Sequence, residues 1–352
     1  VAQFFPIILA GGKGERLWPA SRSSSPKQFL QLLDGQSLLQ ATAARLTSIA
    51  DGWDGLWVVT ARAWLEDVLQ HLPNLPAHHL IIEPEGRDTG PAIAYAVTEA
   101  VRQGGEDVIL GFFPADHWIG DPSGFERSIR AAVQLAGERD GIVTLGIPPQ
   151  YPATGYGYIE AGESLAGWEQ WDGARVARFT EKPNAETAQE FVDSGRYLWN
   201  SGVFVMRAGV ALRELRAHAP DIVNPLFERG PQAYAQLPKL SFDYALMEKT
   251  REALVIRAAF TWDDLGDWNA LERVLGAQQD GNAVMGRHVG IDTHGAIIYS
   301  TDARDLIVTL GLEDLVIVRT GHITLISRKD RVQELKSVLA KLRESPDLTE
   351  FI

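Results

Sequence analysis

Short apolar runs alternate with amphipathic stretches through the first half of the chain. The runs at 4–9, 56–59, 80–82, 108–113 and 142–145 are apolar but for Thr144 and bounded by turn residues, which predicts buried strands. Between them the spacing predicts helices over 37–46, 63–71 and 125–136, and another opening at Thr89. Ser37-Leu38-Leu39-Gln40 has capping-box spacing, and Pro91 falls in the first turn of the Thr89 helix. This alternation defines an α/β fold: a Rossmann-like, mostly parallel sheet with helices on both faces. Ligands of such sheets bind beyond the carboxyl ends of the strands.

After Pro148-Pro149 the pattern changes. A glycine-rich turn at 155–157 leads into a strand, and a strand from 176 ends in Glu181-Lys182. Asn184 is placed to cap the helix that follows. Trp199-Asn200-Ser201 reads as a polar turn leading into a strand to 206, and 241–249 as a helix with an N-terminal cap. Three acids crowd the turn Asp263-Asp264-Leu265-Gly266-Asp267, with Asp267 placed as the cap of a helix. Short strands at 295–299, 306–309, 315–318 and 322–326 predict a small all-β unit or incomplete β-helix, closed by a helix over 331–342. The division expected is a domain of residues 1–280 and a β-rich domain of residues 281–352.

The chemistry starts at the end of the first strand. Gly11, Gly12 and Gly14 let the backbone of Leu9-Ala10-Gly11-Gly12-Lys13-Gly14 turn sharply, and successive N–H groups in such a loop cup an anion. Lys13, Arg16 and Lys27 add positive charge. The pattern is not a Walker A loop, which needs a Gly-Lys-Ser/Thr ending, nor a dinucleotide fingerprint, because Leu17 stands where the third glycine belongs. An arginine inside the loop suits bidentate contact with a polyphosphate. Asp116 ends the run at 108–113; alone it reads as a turn residue, yet an acid at a strand end can also hold Mg²⁺. Glu181 and Lys182 supply an acceptor for hydroxyls and a cation for a phosphate.

Composition narrows the partners. The chain has 352 residues, 45% hydrophobic and 22% charged, enough for one large domain and a smaller one. A net charge of -13 argues against nucleic acid and requires any anion site to be locally positive. The absence of cysteine excludes disulfides and thiolate chemistry. With no signal-peptide pattern and no apolar run of bilayer length, a soluble cytoplasmic protein without a membrane partner is expected.

The stretch Leu9-Ala10-Gly11-Gly12-Lys13-Gly14-Glu15-Arg16-Leu17-Trp18-Pro19, with Pro26-Lys27-Gln28-Phe29, resembles the signature of sugar-nucleotide pyrophosphorylases. Its Trp-Pro and Pro-Lys-Gln-Phe details resemble the guanylyltransferase branch that acts on mannose 1-phosphate. The resemblance implies a GT-A-like nucleotidyltransferase domain with a small β-rich appendage. It implies synthesis of GDP-mannose and pyrophosphate from GTP and mannose 1-phosphate, assisted by Mg²⁺. Arg16, Lys27, Asp116 and Asp264 would be catalytic, the two aspartates as metal ligands. Nucleotide would be bound by residues 9–14 and by Glu83, Arg87, Asp88, Thr89 and Pro91, with the Glu83 carboxylate accepting from guanine. Gly155, Glu181, Lys182 and Asn200 would bind the sugar phosphate. The appendage is expected to pack on the main domain or to form a homodimer interface. The alternatives are a pyrophosphorylase for another nucleotide sugar and a catalytically silent sugar-nucleotide-binding subunit.

Overall fold

The first apolar run becomes β1 (Phe4–Ala10), and the chain around it folds as two compact units. The computed structural model describes residues 3–12, 14–22, 24–32, 35–276 and 279–352. One unit takes Val1–Gly11, Leu39–Ala115 and Asp121–Trp262; the other takes Gly12–Leu38, Asp116–Gly120 and Asp263–Ile352.

In the first unit β2 (Trp57–Ala61), β3 (Leu80–Glu83), β4 (Ile109–Pro114), β5 (Ile142–Ile147), β6 (Gly157–Ser164), β7 (Ala174–Glu181), β8 (Tyr197–Arg207) and β9 (Ala253–Arg257) join β1. Among the described residues they form a nine-stranded sheet of order β3-β2-β1-β4-β8-β5-β9-β7-β6, with β8 also paired to β6. β1 is parallel to β2 and β4, with Ile8 opposite Val58 on one side and Phe113 on the other. The consecutive residues Ile7 and Ile8 point to opposite faces and both are buried, so both faces are covered. The mostly parallel sheet is thus as expected, with β7 and β8 running against their neighbours.

The helices of this unit are α1 (Leu38–Thr47), α2 (Leu65–His71), α3 (Thr89–Gly104), α4 (Pro122–Glu138), α5 (Ala185–Ser194), α6 (Ala208–His218) and α7 (Pro220–Arg229). Asn184 caps α5 as expected, its Oδ1 accepting from Thr187 N at 2.9 Å. Two local expectations are corrected. Residues 199–201 are not a turn but lie inside β8, because the polar side chains there find partners within the fold: Asn200 with Gly202 and Asp243, Ser201 with Val203. The stretch 241–249 is not a regular helix but one π-helical turn, Asp243–Met247.

Register brings one set of side chains to one edge of this sheet. Ala10 is opposite Thr60, Ala61 opposite Glu83, and Leu9 opposite Pro114, so β1 to β4 end together. β8 begins at this edge, where Asn200 faces Gly146 near the end of β5, and Glu181 closes β7 opposite Gly157.

The second unit holds β10 (Ala283–Met285), β11 (Arg287–Ile291), β12 (Ile297–Ser300), β13 (Leu306–Leu310), β14 (Leu315–Thr320) and β15 (Ile323–Arg328). β10, β12 and β14 stack in parallel, β11 and β13 pair in parallel, and β15 returns antiparallel to β14. These coils are the incomplete β-helix expected. α8 (Asn269–Leu275) precedes them and α9 (Leu335–Glu344) follows. Trp18 and Leu30 share a core with Trp268, Ile297, Val318 and Leu339. The Trp18 indole donates to Phe351 O at 2.7 Å, and its carbonyl accepts from Trp268 Nε1 at 2.9 Å. These bonds explain why the motif segment folds with the C-terminal strands. Among the described residues no helix is long and apolar enough to cross a membrane.

Candidate active site

Each unit carries its own group of candidate side chains. In the first, Glu83 ends β3 with 3% of its surface exposed. Its Oε1 accepts from the buried Tyr234 hydroxyl at 2.7 Å, and a Cβ built on Gly11 would stand 3.4 Å from its Oε2. Gly11 therefore lets the end of β1 lie against this carboxylate. Burial, with a lesser push from Asp88, raises the Glu83 carboxyl to about 7 although Tyr234 opposes the rise. The Leu9 and Ala10 carbonyls are taken by Ala115 N and Thr60 Oγ1. Gly11 and Gly12 are exposed beyond them, while Lys13 lies outside the described residues.

The loop after Glu83 is tied down. The Arg87 fork is filled by Glu85 and by the carbonyls of Ala235 and Leu237 at 2.8 and 2.9 Å. Asp88 caps α3 by accepting from Thr89 N, and Thr89 Oγ1 accepts from Phe242 N at 2.9 Å. Gly90 N donates to Leu240 O, which a Cβ at Gly90 would approach to 2.5 Å. Pro91 follows, buried in the first turn of α3.

A second cluster sits further along the same edge. Lys182 pairs with Glu181, and a Cβ on Gly157 would come within 2.6 Å of Glu181 Oε2 and 3.3 Å of Asn200 Cβ. The missing side chain of Gly157 thus lets the Glu181 carboxylate, the Phe179 ring and Asn200 close in on its backbone, which brings Glu181 and Asn200 together. Burial would lower the Lys182 ammonium, but Glu181 and Asp243 raise it above its ordinary range. Gly155 is exposed in the bend before β6. Asp243, to which the sequence reading gave only a structural part, accepts from Asn200 Nδ2 at 3.0 Å. Its signal was an acid in an otherwise apolar turn, but nothing in the sequence joined it to Asn200.

The other group belongs to the second unit. Lys27 is buried, and its Nζ reaches Asp116 Oδ2 at 2.7 Å and the Asp264 carbonyl at 2.5 Å. One ammonium thereby joins three segments far apart in sequence. Gly14 makes this packing feasible: its φ is +63°, and a Cβ there would lie 2.2 Å from Lys27 Cβ. Arg16 is half-buried in the short helical turn Glu15–Leu17, and its guanidinium has no hydrogen-bond or ion-pair partner among the described residues. Burial pushes the Asp116 carboxyl up, but Lys27 and His117 outweigh it and hold the group below its ordinary range.

The three crowded acids separate by partner. Asp263 takes Arg273 through both oxygens, at 2.6 and 3.2 Å, and accepts from Leu265 N. Asp267 accepts from Asn269 N at the start of α8, the capping role expected. Asp264 Oδ1 accepts from Gly266 N at 2.9 Å. Three of these segments hold a non-glycine residue in the left-handed region: Asp88 at φ 70°, Lys182 at 48° and Leu265 at 48°. Each such conformation costs about 1–3 kcal/mol and persists where its surroundings fix it, a pattern that gathers at functional sites.

Among the described residues no three or more His, Asp or Glu side chains gather as a metal cage. Asp116, held below its ordinary range, and Asp264, whose backbone carbonyl shares Lys27 with it, are carboxylates of the kind Mg²⁺ takes. Two hard carboxylates fit Mg²⁺, which takes one or two of them and completes its shell with phosphates and waters.

A mostly parallel sheet with Glu83, Glu181 and Lys182 at its carboxyl edge is the arrangement of a nucleotidyl transferase, and residues 5–280 match the family model described by that name. Residues 286–342 match the MannoseP isomerase/GMP-like beta-helix domain. The chain belongs to the mannose-1-phosphate guanylyltransferase family of sugar-nucleotide pyrophosphorylases. It is 37% identical over 357 residues to the mannose-1-phosphate guanylyltransferase of Escherichia coli (strain K12), spanning 97% of this chain and 74% of that protein. It is 39% identical over 362 residues to the xanthan biosynthesis protein XanB of Xanthomonas campestris pv. campestris, spanning 98% and 74%. A solved structure described as mannose-1-phosphate geranyltransferase from Thermus thermophilus matches with TM-score 0.87 and 36% identity, over 97% of this chain and 99% of that one.

Proposed function

We propose that this protein is a mannose-1-phosphate guanylyltransferase, making GDP-mannose and pyrophosphate from GTP and mannose 1-phosphate. The observation that carries the reading is Lys27 bonded to both the Asp116 carboxylate and the Asp264 backbone carbonyl, which gathers a cation and the two acid-bearing segments that phosphate chemistry needs. An oxygen of the sugar phosphate attacks the α-phosphorus in line. The new P–O bond forms as the bond to the β-phosphate oxygen breaks, and pyrophosphate leaves with that electron pair. The attacking oxygen is already anionic, so no general base and no covalent enzyme intermediate is needed. Catalysis is positioning plus charge stabilisation.

Arg16, uncommitted among the described residues, takes the leaving pyrophosphate together with Lys27. Asp116 and Asp264 would hold Mg²⁺, which when bound neutralises charge as two anions approach. Residues 9–14 supply backbone to the phosphates, and Glu83 with the Arg87–Pro91 loop serves the base. Arg87 acts by holding the loop through Glu85, Ala235 and Leu237. Gly155, Glu181, Lys182 and Asn200 hold the sugar phosphate. All of these residues fall in the domain proposed at 1–280, leaving 281–352 for support or a homodimer contact, and the reaction is assigned to the cytoplasm. The test is pyrophosphate release with GTP and mannose 1-phosphate, beside ATP, CTP and UTP and beside glucose 1-phosphate. Turnover that prefers another base or sugar overturns the assignment.

Two variants probe the substrate sites. Lys182→Ala removes a charge-assisted contact and should raise the KM for mannose 1-phosphate about tenfold or more with little change in that for GTP. Equal effects on both substrates would move Lys182 away from the sugar phosphate. Glu83→Gln keeps an acceptor for Tyr234 and removes the charge, so the preference for GTP over ATP should fall. The same variant should change the pH dependence of stability. The Glu83 carboxyl is raised to about 7, so the fold favours its protonated form. That contribution is present below about 4.5, the ordinary value, and is lost as pH rises through about 7. The variant should therefore be more stable than the parent at pH 8, by up to about 3 kcal/mol, and match it near pH 4. Parallel melting-temperature profiles from pH 4 to 8 would contradict this.

A further inference from the structure

Asn200 is held in one orientation by two groups on opposite sides of its amide. The Gly202 N–H can only donate, and at 3.2 Å it faces Asn200 Oδ1. Asp243 Oδ1, 3.0 Å from Asn200 Nδ2, accepts. Turning the amide over would set an N–H against the Gly202 N–H and lose that bond at a half-buried site. The Thr144 hydroxyl, 3.0 Å from both Asn200 Oδ1 and the Val203 carbonyl, shares its single hydrogen on the same oxygen side. The second hydrogen on Asn200 Nδ2 has no acceptor among the described residues. Against the Gly157 backbone, on which Asn200 also packs, stands the Glu181 carboxylate.

We propose that Asp243 is a positioning residue: by fixing the Asn200 amide it makes Asn200 a hydrogen-bond donor, and not an acceptor, to a hydroxyl of the bound hexose. This rests on the reading of Glu181, Lys182 and Asn200 as the sugar-phosphate site. Neighbouring Glu181 and Asn200 then offer complementary groups, Glu181 accepting and Asn200 donating, so that a hexose hydroxyl can give its hydrogen to one and take one from the other. Burial pushes the Asp243 carboxyl up to about 7, with Glu181 adding to the rise and Lys182 opposing it. Protonated or not, the carboxyl keeps an oxygen for the Asn200 amide. The pattern that hides this role is distance: Asp243 is 43 positions from Asn200.

Three variants decide it, each assayed by pyrophosphate release for separate KM values and by thermal melting. Asp243→Ala removes the acceptor and should raise the KM for mannose 1-phosphate about tenfold while leaving that for GTP unchanged. Asp243→Asn restores an oxygen facing Asn200 Nδ2 and should recover most of that loss. In the double variant Asn200→Asp/Asp243→Asn the amide and the carboxylate change places. Their mutual hydrogen bond and the acceptor for Gly202 N–H are both kept, but position 200 has no N–H to offer a sugar. It should melt near the parent and yet show a mannose 1-phosphate KM at least as high as Asp243→Ala. A parental KM in the double variant overturns the proposal, as does a rise in both KM values in Asp243→Ala. Should Asp243→Ala fail to fold, the volume-conserving double variant still decides. A parent that does not turn over mannose 1-phosphate would overturn the proposed function itself, before any variant is compared.

Discussion

Asp116→Asn and Asp264→Asn are each expected to lower kcat by about a hundredfold or more, the scale of losing one electrostatic stabiliser of a transition state. Both substitutions keep size and hydrogen bonding. Asn at 116 retains an oxygen for Lys27 Nζ, and Asn at 264 retains one for Gly266 N. What each removes is a charge available to a hard cation among phosphates. Because both residues would serve one ion, the double variant should fall little below the worse single, an interaction that a double-mutant cycle measures. Steady-state kcat at saturating substrates, with Mg²⁺ titrated, is the measurement. The singles should also need more Mg²⁺ for half-maximal rate. Turnover within a few-fold of the parent in either single, or simple additivity in the double, would remove the shared two-carboxylate site.

Lys27→Met should cost at least as much activity, about a hundredfold to a thousandfold in kcat, and it should cost stability as well. Methionine can follow the buried path of the lysine stem, but it cannot donate. Asp116 then loses its cation and the Asp264 carbonyl its donor, from a side chain only 7% exposed. Leaving buried acceptors unpaired costs about 1–3 kcal/mol each, and the partial exposure of Asp116 puts its share at the low end. The expected signature is a lower melting temperature together with a kcat loss that added Mg²⁺ does not restore. Gly14→Ala should reproduce part of it by a different route, since its Cβ would meet Lys27 Cβ at 2.2 Å on a backbone with φ +63°. A Lys27→Met enzyme with parental kcat would show that the ammonium only packs.

The layout of the molecule was legible along the chain. Apolar runs bounded by turn residues become β1 to β5, because a strand buried on both faces must be apolar at consecutive positions. The glycines of the first loop announced close backbone approach, and Gly11 and Gly14 are pressed against Glu83 and Lys27. Caps at Asn184 and Asp267 were legible because they satisfy amides within three residues of themselves. The β-rich C-terminal segment was legible from short strands at regular spacing. Motif resemblance then named the chemistry.

Which of these residues meet was settled only in the folded chain. No local pattern relates Lys27 to Asp116 and Asp264, 89 and 237 positions away, since that bond depends on how the segments fold together. The same holds for Tyr234 on Glu83, 151 positions apart, which sets the burial and proton affinity of that carboxylate. Trp199-Asn200-Ser201 looked like a turn because its residues are polar, and it became strand because partners elsewhere satisfy them. In the acidic turn, spacing could count the charges but not assign them. Arg273 claims Asp263, the start of α8 claims Asp267, and Asp264 accepts from Gly266 N. Sequence periodicity carries backbone preference and burial, which are local; the pairing of polar groups is a long-range condition, met only once the chain is folded.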